Sequence, residues 1–364
     1  MTTSEPAITG SPHAGPIASE AGLEETPRAP GIAVVIPCYN YATFVGAAID
    51  SALAQTRPYA QIIVVDDGST DDSPAVMAEY GEQIEVVRQE NAGLLGACLA
   101  GIAQVRCEYV HVLDADDVAS PTLVERCTPA LRTRPVKLQF QLAGIDESGE
   151  PNGSVFPSFA PGYDRPAMMA DNRVIGLYQC PPTSGNVWHV ATQRGLGLGQ
   201  EDPRLPLDGA GNAVMPYLGE IVSLSEPLAG YRVHGESMSM TQLLPTPAQA
   251  EREISDFEAN WASASRVMGH AAPPYGDSMP LFLLERALIR DGLRHTRPRP
   301  VSLARYLARL HQSNLPAWQR IAQGAWMTSL LVPSTRARAH LVHLRRSGSA
   351  RPGWMRRLVR LVRN

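Results

Sequence analysis

The sequence of 364 residues predicts an α/β fold with a mostly parallel central sheet, followed by a helical C-terminal region. Between Ile32 and Asp117, short apolar runs alternate with single helical patterns, which is typical of βαβ units. Beyond Ala248, apolar residues recur at helical spacing and prolines separate the helices. We therefore expect a disordered lead (1–30), an α/β domain (31–240) and a helical region (248–364) that ends in a basic tail.

Four apolar runs account for the parallel strands. The predicted strands are Ile32–Ile36, Gln61–Val65, Ile84–Val87 and Tyr109–Leu113. Helices are predicted from Thr43, after Pro74 and over residues 94–105. Later strands are predicted at Phe140–Asp146, with a hairpin turn behind it, and at Ile221–Leu224. Residues 151–182 are rich in Pro, Gly and aromatic residues, and they predict a mobile loop.

The composition is that of an ordinary globular protein, with 44% hydrophobic and 19% charged residues. The five cysteines form no CxxC pair and no zinc spacing, so we expect free thiols and a cytoplasmic location. The first 30 residues lack the basic start and apolar core of a signal peptide. No apolar run reaches the length of about 18 residues that a membrane span requires, which argues against an integral membrane protein.

The C-terminal end is strongly basic, although the chain as a whole has a net charge of −4. Nine arginines and no acidic residue lie between Ser334 and Asn364. Met355, Leu358 and Val362 follow a helical period, with arginines on the other side. This pattern predicts contact with an anionic membrane surface at the inner face of the membrane, or else a helix packed on its own domain or on a second subunit. Nucleic acid is not expected, because no nucleic-acid-binding motif accompanies the arginines.

The stretch YVHVLDADD ends an apolar run in three carboxylates, those of Asp114, Asp116 and Asp117. They follow a predicted strand at its carboxyl end, where open α/β sheets bind ligands. Carboxylates this close raise each other's pKa unless a cation joins them, so the cluster favours a divalent metal, Mg²⁺ or Mn²⁺. The alternative is that they form a turn and cap a helix that starts at Ser120.

Two more polar clusters follow predicted strands, PCYN (37–40) and DDGST (66–70). Because the carboxyl ends of parallel strands meet at one edge, these clusters and DADD should converge on one crevice. Neither GxGxxG nor GxxxxGK[ST] is present, so the chain has no dinucleotide fingerprint and no phosphate loop. The acids instead suggest hydrogen bonds to a ribose and a base, with a metal ion bridging phosphates.

The motifs VVIPCYNY, IIVVDDGSTDDS, ENAG, YVHVLDADD and YRVHG, between about Ile32 and Ser239, resemble family 2 glycosyltransferases, which have a Rossmann-like GT-A fold. The resemblance implies an inverting enzyme that uses a nucleoside diphosphate sugar, a divalent cation and an acceptor hydroxyl. It assigns the nucleotide-sugar contacts to Pro37, Tyr39, Asn40, Asp66, Asp67, Gly93, Asp114 and Ala115. It assigns the metal contacts to Asp116, Asp114, Asp117 and His234, with Arg232 helping to hold the last loop.

The same resemblance places the acceptor site beside PTSGN (182–186) and the loop 151–182, and it implies a carboxylate general base at the head of the next helix. Asp208 occupies that position, directly before a plausible helix. Asp202 is the second candidate, since it lies in a Gln-Glu-Asp-Pro turn that matches an "ED" pair of the family. Alternatively, Asp208 is a helix N-cap and Asp202 a turn residue.

On family grounds, the acceptor is expected to be a saccharide or a lipid-linked precursor in the synthesis of a cell-envelope or exported polysaccharide. The chain departs from the family at Cys98 and Leu99, where Arg or Phe and then Asn are usual. This departure and the two candidates for the base leave open a non-catalytic nucleotide-sugar-binding module tethered at the membrane. A nucleotidyltransferase is a weaker alternative, because the Gly-rich loop that such enzymes carry is missing.

Overall fold

A computed structural model describes most of the α/β domain and of the C-terminal helices. The described residues are 30–197, 207–235, 246–269, 278–294 and 298–346. The predicted disordered lead, Asp202 and the predicted amphipathic helix around Met355 therefore lie outside the described residues.

The described residues form one mixed sheet of nine strands. In chain order the strands are β1 (Ile32–Cys38), β2 (Gln61–Asp66), β3 (Glu85–Arg88), β4 (Tyr109–Val112), β5 (Val118–Ala119), β6 (Lys137–Ile145), β7 (Pro151–Phe156), β8 (Asn186–His189) and β9 (Ile221–Arg232). Their spatial order is β3-β2-β1-β4-β8-β6-β9-β5, with β7 paired to β6. The first four strands of this order and the pair β6 and β9 are parallel, whereas β8 runs antiparallel to both of its neighbours. The predicted α/β class is confirmed.

The described part of the chain also contains twelve α-helices. They are α1 (Ala42–Leu53), α2 (Ser73–Ala78), α3 (Gly93–Gln104), α4 (Leu123–Leu131), α5 (Arg165–Val174), α6 (Val190–Gly195), α7 (Leu207–Leu218), α8 (Pro247–Val267), α9 (Leu281–Leu293), α10 (Pro300–His311), α11 (Ala317–Ser329) and α12 (Thr335–Arg346). The helices predicted from Thr43, after Pro74 and over residues 94–105 are confirmed as α1, α2 and α3.

The predicted mobile loop over residues 151–182 is wrong. Its first residues form β7, which pairs antiparallel with β6. A helix follows as α5, and the side chain of Asp164 caps it by accepting a hydrogen bond from the backbone N–H of Ala167 at 3.0 Å. Proline at the start of a helix is favourable because its missing N–H is not needed there, so Pro166 marks a helix start and not a loop.

The last strand is longer than its predicted range, Ile221–Leu224, because β9 continues to Arg232. The register with β6 shifts between Phe140 and Gln141, so that Leu224 and Pro227 oppose neighbouring residues. A register shift of this kind accommodates a proline, which cannot donate a hydrogen bond to the next strand. The strand therefore passes through Pro227 and continues beyond the predicted range.

Apolar side chains cover both faces of the sheet. All seven residues of β1 are buried, as expected for a central strand of a parallel sheet. Alternate residues face opposite sides: Val34 packs in the cluster that includes α1 and α4, and Val35 packs in the cluster that includes α3, α7 and α8. Trp261 of α8 belongs to the second cluster, and its Nε1–H donates to the carbonyl oxygen of Gly176 at 3.0 Å. The first C-terminal helix is thus part of the α/β core, while α9 to α12 share a third cluster.

Helix α3 approaches β1 closely at Gly101. A Cβ atom at this glycine would lie 2.4 Å from Cγ1 of Val35 and 3.0 Å from Cγ2 of Val65. We expect Gly101→Ala to lower the free energy of unfolding by about 1–3 kcal/mol, because the added methyl group overpacks a helix–sheet contact. Gly195→Ala on α6 is the control, since nothing lies within 4 Å of its added Cβ. Urea titration of both variants checks this, and equal stability of the two would contradict the close approach.

One of the C-terminal arginines belongs to the core. Arg338 is buried, and its guanidinium donates to the carbonyl oxygens of Gly292, Val332 and Pro333. It anchors α12 and does not contribute to the basic surface that we expected of the C-terminal arginines. All five cysteines are free, as predicted. Within the described ranges, no helix combines the length and apolar character that a membrane-crossing segment needs.

Candidate functional site

A cavity of about 390 Å³ opens at the carboxyl edge of the parallel strands. Its lining residues come from the ends of β1, β2 and β4, from the start of α3 and from β9: Pro37, Cys38, Tyr39, Tyr41, Asp67, Asn91, Gly93, Leu94, Ala97, Asp114, Ala115, Asp116 and Tyr231. The register of β1 opposes Pro37 to Val65 of β2. In the same way, it opposes Val35 to Val112 of β4. The predicted convergence of the three polar clusters is therefore confirmed.

Asn40 and Asp66 hold the loops behind the cavity and do not line it. Asn40 has a positive φ of 56°, and its side-chain Oδ1 accepts from the backbone N–H of Thr70 at 2.7 Å. Its own N–H donates to the Oγ of Ser69 at 3.1 Å. The carboxylate of Asp66 accepts from the N–H of Ser69 at 2.9 Å. These bonds join the loops that follow β1 and β2, and a direct donor contact of either side chain stays a prediction.

Asp67 is buried and its carboxylate is fixed in place. Its Oδ1 accepts from Nε2 of Gln89 at 2.6 Å and from the backbone N–H of Ala92 at 2.9 Å. The turn that follows requires glycine, since Gly68 has a φ of +75° and a Cβ there would lie 2.9 Å from the nitrogen of Asn91. Asp67 lines the cavity, where a fixed carboxylate can accept hydrogen bonds from the N–H groups of a ligand.

The DADD residues lie at two depths relative to the cavity. Asp114 and Asp116 line the cavity, with Ala115 between them. The backbone N–H of Asp114 donates to the Oγ of Ser184 at 3.1 Å, so the PTSGN stretch packs behind the end of β4. Asp116 keeps 18% of its side chain exposed. Of the DADD carboxylates, these two line the cavity.

Asp117 lies beneath the cavity and is 1% exposed. Its Oδ1 accepts from the backbone N–H of Arg232 at 2.8 Å. Burial and the neighbouring carboxylate of Asp116 raise the pKa of Asp117 to about 8. In this position it supports the YRVHG stretch, and its predicted role as a metal ligand stays a prediction. The alternative that these aspartates cap a helix starting at Ser120 is wrong, because β5 intervenes and α4 begins only at Leu123.

The YRVHG stretch fixes Asp116 from behind. The Nε–H of Arg232 donates to the carbonyl oxygen of Asp116 at 2.7 Å, and Nη1 donates to that of Glu147 at 2.8 Å. His234 is buried, and its Nε2 lies 3.0 Å from Oδ2 of Asp116. The imidazole packs 4.7 Å from the ring of Phe44. His234 thus holds one oxygen of Asp116 and lies behind the cavity lining, and its predicted contact with a metal stays a prediction.

The donor set at the cavity suits a cation that arrives with a phosphate ligand. Among the described residues, no three His, Cys, Asp or Glu side chains are grouped to hold a metal ion by themselves. Mg²⁺ is typically bound by one or two carboxylates, with waters and substrate phosphates completing the octahedron. Asp114 and Asp116, both facing the cavity, supply that number of carboxylates.

The carboxyl end of β4 is braced by a buried histidine. The Nδ1 of His111 lies 2.8 Å from the hydroxyl oxygen of Tyr59, and Nε2 lies 2.9 Å from the carbonyl oxygen of Ser184. A carbonyl can only accept, so Nε2 carries the proton and the Tyr59 hydroxyl donates to Nδ1. Burial lowers the pKa of His111 to about 4. The ring is therefore neutral at pH 7 and links β4 to the PTSGN stretch.

This histidine predicts acid lability. The pKa of His111 is lower in the folded chain than its ordinary value of 6.5, so its stabilising effect is complete above pH 6.5 and is lost as the pH falls towards 4. We expect stability to fall by up to about 1.4 kcal/mol per pH unit in this window on account of His111. Urea titrations at several pH values check this. His111→Gln should reduce the slope of the free energy of unfolding against pH, and His311→Gln, at an exposed position of α10, should not. Equal slopes in all three proteins would contradict the assignment of this acid lability to His111.

The two positions at which the sequence departs from the family pattern, Cys98 and Leu99, take part in packing of the core. Cys98 is fully buried in the core, and Leu99 packs against the same cluster. The helix instead presents Leu94 and Ala97 to the cavity. The sequence did not indicate these two apolar positions, because either side of an apolar helix can face the sheet. The aromatic residues Tyr41 and Tyr231 were also missed, although both lie within motifs that we had singled out.

The structure locates one of the two candidates for the general base. The helix that we expected at this place is confirmed, but α7 begins at Leu207, so Asp208 lies inside its first turn and the alternative that Asp208 is the N-cap is wrong. Its catalytic role stays a prediction. Asp202 lies outside the described residues, and its role stays a prediction as well.

Three comparisons relate this fold and site to known proteins. The sequence model of Glycosyl transferase family 2 matches residues 33–173. An uncharacterized glycosyltransferase of Nostoc is 31% identical over 232 residues, which cover 62% of this chain and 72% of the relative. An uncharacterized glycosyltransferase of Rickettsia prowazekii is 40% identical over 103 residues, covering 28% of this chain and 32% of that protein.

A solved structure shows the same fold. The crystal structure of residues 1–349 of TarS from S. aureus, in complex with UDP-GlcNAc, superimposes with a TM-score of 0.50. The match covers 87% of this chain and 92% of that chain, at 14% sequence identity. At this identity the likeness concerns the fold alone, and it agrees with the predicted GT-A architecture followed by C-terminal helices.

Proposed function

Because the chain belongs to glycosyl transferase family 2, we propose that it is an inverting enzyme that moves a sugar from a nucleoside diphosphate sugar to an acceptor hydroxyl. One observation carries the proposal: the polar ends of β1, β2 and β4 line a single cavity together with Asp67, Asp114 and Asp116. The TarS structure, which has this fold and contains UDP-GlcNAc, supports a nucleotide-sugar as the class of donor.

The donor's nucleoside lies, in this proposal, against the ends of β1 and β2. The buried carboxylate of Asp67 accepts hydrogen bonds from the base, and its orientation is set by Gln89 and Ala92. The ring of Tyr39, which is 45% exposed, packs against the nucleoside. Asn40 and Asp66 maintain the loops that position these two side chains.

The diphosphate lies beside Asp114 and Asp116 in this proposal. These two carboxylates would hold a divalent cation, Mn²⁺ or Mg²⁺, which when bound supplies positive charge that stabilises the departing diphosphate. His234 and Arg232 keep Asp116 in one orientation through its carboxylate and its backbone carbonyl oxygen. A carboxylate that is already oriented does not have to reorganise during the reaction, and such preorganised electrostatics lower the barrier.

The acceptor's proton goes, in this proposal, to Asp208 at the head of α7. Asp208 removes the proton while the acceptor oxygen attacks the anomeric carbon from the side opposite the leaving diphosphate, which inverts the configuration. Asp202 is the second candidate for this role. A saccharide or lipid-linked acceptor in the synthesis of a cell-envelope or exported polysaccharide completes the proposal, together with attachment to the inner face of the membrane.

The first test measures the release of nucleoside diphosphate from a panel of UDP-, GDP- and dTDP-sugars, with Mn²⁺, with Mg²⁺ and with a chelator. We expect release from one donor, dependent on the metal and stimulated by an extract of cell-envelope material as acceptor. Binding of a donor without any release, even with that extract, would favour the non-catalytic binding module. Release that persists in the chelator would contradict the metal requirement.

A further inference from the structure

Helices α10 and α11 pack against each other, and both expose large apolar side chains. The two helices pack closely, since a Cβ at Gly324 of α11 would lie 3.2 Å from Cδ2 of Leu307. We call the exposed apolar residues of this helix pair the apolar ridge: Val301 (55% exposed), Leu307 (38%), Trp318 (38%) and Ile321 (72%). Isolated exposed apolar residues are common on soluble proteins, but four on two packed helices mark an interaction surface.

The first half of α11 is exposed and the second half is packed. Trp318 and Ile321 are exposed, whereas Gly324 and Met327 are buried. Gly324 lies against α10, and Met327 belongs to the third core cluster. Ile321 contributes little to the packing of the described residues, and Trp318 is partly exposed beside it. Their exposed apolar surface is therefore available to a partner.

The charge of this region identifies the chemistry of that partner. From Gly292 to Asn364 the sequence contains fifteen arginines and no Lys, Asp or Glu, so all 36 acidic residues of the chain precede it. Arg299, Arg305 and Arg336 are exposed on or beside the two helices. A surface that combines Trp and Ile with arginines and lacks carboxylates complements an anionic, partly apolar partner.

A cavity beside α10 is suited to phosphate. Arg305 and Arg309 line this space of about 460 Å³, together with Ser278 and Met279. The guanidinium of Arg309 is held in place, since Nη1 donates to Oε1 of Gln312 at 3.0 Å and Nη2 donates to the carbonyl oxygen of Arg173. Arg305 is exposed beside it, and a guanidinium can donate several hydrogen bonds to phosphate oxygens, so this cavity can accept the phosphate of a lipid headgroup through Arg305.

We propose that the apolar ridge and its flanking arginines dock the protein on the surface of an anionic lipid bilayer. A second copy of this chain is a poorer occupant, because a two-fold contact through this surface would bring the same arginines of both copies together. A bilayer is both anionic and partly apolar. Trp318 and Ile321 can enter the boundary between headgroups and acyl chains while the arginines contact lipid phosphates. The residues of this surface precede the basic tail in the sequence.

Co-sedimentation with vesicles tests the proposal on the full chain and without any nucleotide, so that its outcome is independent of the proposed glycosyl transfer. We expect binding to vesicles of phosphatidylcholine with phosphatidylglycerol, much weaker binding to phosphatidylcholine alone, and a decrease with salt. Ile321→Glu should weaken binding by about tenfold or more, because it removes an inserted apolar side chain and adds a negative charge. The control is Val155→Glu, which makes a similar change at a residue that is 51% exposed on β7 and should bind like the unmodified protein.

A second readout follows Trp318 itself. Brominated lipids quench tryptophans that enter the bilayer, so Trp318→Phe should lose most of the quenching while keeping vesicle binding. Unchanged binding of Ile321→Glu would overturn the proposal and assign any membrane contact to the basic tail. A protein that is dimeric in sedimentation velocity, and that Ile321→Glu converts to a monomer without changing vesicle binding, would also overturn it and identify the ridge as a subunit interface.

Discussion

Asp116→Asn is expected to lower the turnover of donor by about 100- to 1000-fold, because it removes one of the two carboxylates that would hold the divalent cation, and the positive charge of that cation stabilises the departing diphosphate. The change keeps the size of the side chain and an oxygen that can face the Nε2 of His234. The fold should therefore persist. Steady-state release of nucleoside diphosphate at saturating Mn²⁺ measures the effect, and Mn²⁺ binding in the presence of free nucleoside diphosphate should weaken in parallel.

The matched control for this variant is Asp72→Asn. Asp72 is exposed, lies in the loop after β2 and makes no side-chain cap on α2. Asp72→Asn removes the same negative charge at a position outside the lining of the cavity. Turnover and Mn²⁺ binding should therefore stay near those of the unmodified protein. If Asp116→Asn also retained both properties, the assignment of the metal to this carboxylate would be wrong.

The carboxyl edge of the parallel strands could be predicted because the sequence patterns that define it are local. Each of β1, β2 and β4 is a short apolar run that ends in a polar cluster, and parallel strands bring such ends together whatever the rest of the chain does. The long-range contacts had no such signal. The bond between Asn40 and Thr70, which turns Asn40 into a support of the neighbouring loop, depends on the register of two strands. The role of His234 as a partner of Asp116 depends likewise on the pairing of β5 with β9.

The middle of the chain was harder to predict because prolines and glycines there have more than one use. Pro166 starts α5, and Pro227 is accommodated within β9 at a shift of register. Strand β8 has only four residues and runs antiparallel between β4 and β6, so its apolar pattern is too short to stand out. Such elements are defined by the strands on either side of them, and tertiary context overrides the local pattern.

Asp208→Asn is expected to lower kcat by about 100- to 10,000-fold while leaving donor affinity unchanged, because a general base acts on the acceptor's proton and makes no contact with the nucleotide. Asparagine keeps the shape of the side chain but cannot accept a proton. Asp202→Asn is the matched variant and should lose much less activity. Turnover with acceptor, together with donor affinity from calorimetry, separates the two. Loss in Asp202→Asn alone would transfer the role to that residue, and full activity in both variants would exclude both.

The position of Asp208 on the chain gives a physical reason to favour it. It lies in the first turn of α7, where the helix dipole and free backbone N–H groups favour negative charge. The same helix is anchored one turn later, where Asn212 accepts a hydrogen bond from the buried ammonium of Lys137 at 2.7 Å. We therefore expect Lys137→Met to lower kcat as well as stability, because it releases the turn of α7 that follows Asp208.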